Sequence, residues 1–183
     1  QSKGTPPGFP NVASGKFEII PKTKPIIQRT FMKGVGTKSI LVGFPEGIHI
    51  AFNGASGMPA LLWKGRFFDG YNTWFNRFQE FGQPLGEAVI KWPNVKPNPS
   101  NTFKGYQLNS AGIPEFILSI EGTPVYERYL PVQNEHGQWG IQRIVRYTQE
   151  RQLSEAHLFH PENVSINQLP NNNSMVWQFI YTW

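Results

Sequence analysis

The densest run of chemically capable side chains is Trp63-Lys64-Gly65-Arg66-Phe67-Phe68-Asp69-Gly70, with Trp74 and Arg77 close behind. Indole faces stack on the apolar faces of sugar rings, while Arg, Asp and Asn hold hydroxyls through paired hydrogen bonds. Trp63, Arg66, Asp69, Trp74 and Arg77 are therefore the candidate ligand-binding residues, and a carbohydrate is the candidate ligand. The competing reading is purely structural. Trp and Phe in a β-rich chain form core, and Asp69 before Gly70 is a turn residue or a partner for Arg66 or Arg77.

Other chemistries are less well served. Hydrolysis of a glycosidic bond needs two carboxyls flanking it, and Asp69 with Glu80 or Glu87 is the pairing the sequence offers. The four histidines, His49, His136, His157 and His160, include one i, i+3 pair, 157 and 160. No third ligand lies near that pair, so all four are expected to be ordinary loop or surface histidines and no metal or cofactor is expected. Gly34-Val35-Gly36-Thr37-Lys38-Ser39 lacks the four-residue spacer of a phosphate loop and precedes a strand, which makes it a hairpin or loop. No Gly-x-Ser-x-Gly elbow is present. With no cysteine, disulfides, thiolate metal sites and a cysteine nucleophile are excluded.

The elements that must position these residues are strands. Ile26–Met32, Ser39–Gly43 and Ile48–Phe52 are β-rich runs, and Phe44-Pro45-Glu46-Gly47 is a tight-turn sequence between the last two. Further along, 103–108, 116–120, 125–132 and 141–147 read as a meander in which apolar and polar positions mostly alternate, the mark of a sheet with one wet face. Val164–Ile166 and Val176–Tyr181 add two more. Only residues 71–81, with aromatics at 71, 74, 75, 78 and 81, have helical spacing, and Gly82 follows as a C-cap. The expected fold is all-β: an antiparallel β-sandwich, jelly-roll-like or mutarotase-like, with one short helix near residues 71–81. Residues 1–15, rich in Gly, Pro and Ser, read as a flexible leader or linker, and 16–183 as a single domain of ordinary size.

Of 183 residues 16% are charged and 14% aromatic, and the net charge is +5. Residues 1–50 hold seven Lys and Arg against Glu18 and Glu46, whereas 51–183 are neutral. Basicity is thus expected to describe the amino-terminal quarter and not the function, and nucleic-acid binding is not expected. No stretch approaches the roughly 20 apolar residues of a membrane-spanning helix.

The central segment resembles a β-rich module of secreted bacterial multidomain proteins, often joined to c-type cytochrome or sorbosone-dehydrogenase-like domains. The pattern runs from Arg29-Thr30-Phe31 through Ser39–Pro45 and Ile48–Asn53 to Leu62-Trp63-Lys64-Gly65-Arg66-Phe67-Phe68-Asp69. It continues with Trp74, Arg77, Pro84-Leu85-Gly86, and the hairpin Gly105-Tyr106-Gln107-Leu108 with Pro114-Glu115-Phe116. About two-thirds of the chain is covered. Asn53 stands where the family often has Asp, and Phe78 follows Arg77 where a glycine is common. The resemblance implies a secreted or periplasmic module beside redox or carbohydrate-active partners. The leading expectation is a non-catalytic carbohydrate-binding module; the alternatives are a polysaccharide-active hydrolase or lyase and a docking domain for a redox partner.

Overall fold

The computed structural model describes residues 17–71, 82–93, 97–148, 153, 157–158, 164–171 and 174–183. Thirteen strands form among them, all paired antiparallel, in sheets of five, six and two strands. The stretch expected to be helical lies, beyond Tyr71, outside the described residues, as does the leader 1–15.

The five-stranded sheet is a meander of β2 (Ile26–Met32), β3 (Gly36–Gly43), β4 (Ile48–Asn53) and β5 (Met58–Lys64), completed by β7 (Glu87–Lys91). Phe44–Gly47 makes the expected turn, closed by Gly47 N–H donating to the Phe44 carbonyl, with Gly47 at φ +78°. β3 and β4 are buried on both faces, which explains their unbroken apolar runs. Ile40, Val42, Ile50 and Phe52 point one way into the main core. Leu41, Ala51, Leu61 and Trp63 point the other way into a smaller cluster with Phe67 and Phe68.

The six-stranded sheet has the order β12 (Val164–Asn171), β13 (Ser174–Tyr181), β11 (Trp139–Thr148), β10 (Thr123–Gln133), β9 (Pro114–Ile120), β8 (Asn101–Leu108). Here the expected alternation is plain. Phe116, Leu118 and Ile120 are buried while their neighbours Ile117 and Ser119 are half-buried. The outer face carries Glu115 between Arg128 and Arg146, and Arg146 also lies over the Tyr126 ring.

The two large sheets meet through one core. Phe52 packs on Phe116 with ring centroids 4.8 Å apart, and Trp92 meets Tyr181 edge-on at 5.3 Å. Within these two sheets each described strand pairs with a neighbour in sequence or the next but one. The third sheet, β1 (Glu18–Ile19) with β6 (Phe68–Asp69), goes with the smaller cluster, against which Ile19 packs.

Candidate functional site

The Trp63–Asp69 block is held from within. Trp63 sits on β5 with none of its surface exposed, its ring stacked on Phe67 at 6.0 Å and 13°. Its indole N–H donates to the carbonyls of Arg66 and Phe67. The chain therefore turns at Gly65 (φ +95°) and folds back over its own tryptophan. Gly43 makes room for this: a Cβ there would stand 2.7 Å from the Phe67 ring. Arg66 faces solvent and grips Glu18 with two hydrogen bonds of 2.8 Å. Asp69 Oδ1 accepts from the backbone N–H groups of Phe17 and Tyr71, at 2.8 and 2.9 Å. Trp63, Arg66 and Asp69 are thus brought together, but as a brace between β5, β6 and β1. Trp74, Arg77 and Glu80 lie outside the described residues. Glu87 opens β7 opposite Lys64, with its side chain exposed.

His49 belongs to the same brace. The Phe44 N–H donates to Nδ1 at 3.2 Å, which leaves the proton on Nε2 to donate to the Gly65 carbonyl at 2.7 Å. Burial, only partly offset by the Gly65 hydrogen bond, pushes this imidazole down to about 4. His157 is buried too but lies in a turn, so of the expected loop or surface histidines it is His49, buried on β4, that departs. His136 is exposed, beside Glu135; His160 lies outside the described residues. Among the described residues no group of three or more His, Asp or Glu side chains is placed to hold a metal ion.

His157 meets a buried charge pair that the sequence reading did not single out. Glu127 of β10 and Arg143 of β11 are fully buried, with Arg143 Nε donating to Glu127 Oε1 at 2.6 Å. Tyr129 Oη donates to the same oxygen, and His157 Nε2 lies 3.1 Å from the other. Arg143 Nη2 donates to the His157 backbone carbonyl, and its guanidinium rests over the Phe179 ring. Burial alone would push the Glu127 carboxyl up. Arg143 and His157, through charge and hydrogen bonds, outweigh it and hold the carboxyl at about 2.

These two groups set an acid response. A carboxyl or imidazole held below its ordinary value contributes stability that is complete above that ordinary value and is lost on acidification. For His49 the loss runs from about pH 6.5 to about 4, and for Glu127 from about 4.5 to about 2. Each amounts to roughly 3 kcal/mol. Urea unfolding at pH 7, 5 and 3 is expected to show a first drop by pH 5 and a second by pH 3. A stability level from pH 7 to 5 would contradict the buried neutral imidazole.

An open cleft lies elsewhere among the described residues, beside β2 and β8, edge strands of the two large sheets. This cleft, of about 660 Å³, is lined by Arg29, Thr37, Lys38, Ser39, Ile40, Gly54, Ala55, Pro97, Asn98, Pro99, Asn101, Thr102 and Phe103. Two irregularities shape it. Between the pairs Thr30↔Ser39 and Met32↔Gly36, the β3 residues Thr37 and Lys38 stand against Phe31 alone. Between Phe103↔Leu118 and Gly105↔Ile117, Lys104 is the extra residue, and Gly105 takes φ +138°. Bulges of this kind bend a strand and re-aim its side chains. Arg29 lies over the Phe103 ring at 5.7 Å, and Phe103 is seated on Phe116 at 5.8 Å. The rim is held by Asn98, whose Oδ1 accepts from Ser100 N–H, and by Asn101, whose Nδ2 donates to the Ser56 carbonyl.

No family model, curated protein or solved structure matches this chain.

Sequence reasoning does not reveal this cleft, because its walls are far apart in the chain. The 34–39 segment lies at the hairpin expected in place of a phosphate loop, and the opposite wall is formed by residues 97–103. Arg29 and Lys38 belong to the basic amino-terminal quarter. Two of its seven basic residues line the cleft.

Proposed function

We propose that this domain is a non-catalytic binding module whose ligand, a carbohydrate or carbohydrate-like molecule, lies in the cleft between β2–β3 and residues 97–103. The observation that carries the reading is the cleft's lining. An aromatic ring, Phe103, stands beside Arg29, Asn98, Asn101, Thr37 and Thr102, with no Asp or Glu among the lining residues. That is the pairing of apolar face and planar polar groups suited to a sugar. Bond hydrolysis by two carboxyls finds no support in such a lining.

The finer architecture belongs to the same proposal. The facing five- and six-stranded sheets make a β-sandwich, and their sequential strand order fits a mutarotase-like meander better than a jelly roll. Secretion, and company with cytochrome-type or dehydrogenase-type domains, rest on the family resemblance of residues 26–147.

Calorimetric titration with a panel of oligosaccharides tests the function, and Phe103→Leu tests the place. The substitution keeps an apolar side chain but removes the ring face, and is expected to weaken binding about three- to tenfold. Unchanged affinity would move the ligand out of this cleft. Absence of any saccharide binding would overturn the function.

A further inference from the structure

We infer that the saccharide this cleft takes is acidic, bearing carboxylate or sulfate groups that Arg29 and Lys38 hold; the inference rests on the binding-module reading above. Two cations and no carboxylate line the cleft, and neither cation has an ion pair among the described residues. Every other described arginine is otherwise occupied: Arg66 by Glu18, Arg128 and Arg146 by Glu115, Arg143 by Glu127. Arg29 is the exception, and it lies in the cleft.

The strand geometry aims both charges the same way. Arg29 pairs with Ile40, so the two share a face of the five-stranded sheet, and Lys38 is two residues from Ile40 on β3. Ile40 belongs to the core between the sheets. The two cations therefore project from the core-facing side, just where the sheets part and solvent enters. Both are exposed. Arg29 spends the face of its guanidinium on Phe103, while its N–H donors, which lie in the plane of the group, remain for a ligand. A planar carboxylate suits such a donor edge bidentately, and Lys38 adds a point charge beside it. A neutral sugar would occupy the same cleft and leave both charges without a counter-ion.

The experiment is calorimetric titration of the native domain with three oligomers of equal length: galacturonan, sulfated galactan and neutral galactan. One acidic oligomer is expected to bind about tenfold or more tightly than the neutral one, and which of them does so assigns the anionic group. The advantage should shrink as salt is raised to about 0.5 M, because solvent-exposed charges are screened. Arg29→Gln and Lys38→Gln are each expected to remove most of it, and the double variant to bind acidic and neutral oligomers alike. Both side chains are exposed, so these variants retain the fold, which an unchanged melting temperature confirms. Equal affinity of the native domain for acidic and neutral oligomers overturns the inference and leaves the module reading standing. Binding of none of the three overturns that reading as well. An acidic preference that survives the double variant places the anion site elsewhere.

Discussion

Replacing Glu127 by alanine is expected to destabilise the fold by about 3–5 kcal/mol. The magnitude follows from what is left behind. Arg143 is fully buried and cannot lose its proton, so deleting its carboxylate strands a charge in the core. Tyr129 and His157 lose their acceptor in the same step. Chemical denaturation monitored by tryptophan fluorescence measures the cost as a lower midpoint. Should the single variant fail to fold, the double variant Glu127→Leu with Arg143→Met still decides the matter. Apolar residues of similar size commonly replace a buried pair at little cost, so the double variant is expected to recover most of the loss. A loss below about 1 kcal/mol for Glu127→Ala would mean that water reaches the pair, contrary to its complete burial.

Trp63→Ala is expected to cost a comparable 3–5 kcal/mol while leaving saccharide affinity per folded molecule unchanged. The indole fills the cluster between the five-stranded sheet and the 66–69 segment, and its N–H is the tie that folds Arg66 and Phe67 back. Its removal opens a cavity and frees two carbonyls at once. Paired denaturation and titration separate the two readouts. A stable variant that no longer binds would restore Trp63 to a binding role and count against the cleft. Trp63→Phe, which keeps a ring but loses the N–H, should fall between native and alanine in stability.

The alternation in 116–120, 125–132 and 141–147 made the six-stranded sheet legible, because a half-wet sheet sorts its side chains with period two. The same pattern held an unread signal. Glu127 lies in phase with Val125 and Tyr129, and Arg143 in phase with Ile141 and Val145. A charge at an inward position of each of two neighbouring strands predicts a buried pair, since neither is tolerated alone. Tyr129 stands opposite Arg143 and Val145 opposite Glu127, so the two charges are diagonal neighbours across β10 and β11. The contact with His157 had no such signal, because it depends on where the chain after β11 returns.

Local sequence by itself determined the all-β class, the hairpin turn at 44–47, and the exclusion of thiol chemistry. These follow from period, turn residues and composition, which are properties of short stretches. Only the tertiary structure decided what the Trp63–Asp69 block does. Strand alternation puts Trp63 and Leu62 on opposite faces, but both faces of this sheet are covered, and what covers the second is β1 and β6, some 50 residues apart in the chain. Likewise the cleft exists because bulges in β3 and in the edge strand β8 lie beside each other across a core built from contacts distant in sequence. Residue types along the chain reveal which chemistry is affordable; which side chains face solvent depends on what the rest of the chain has already buried.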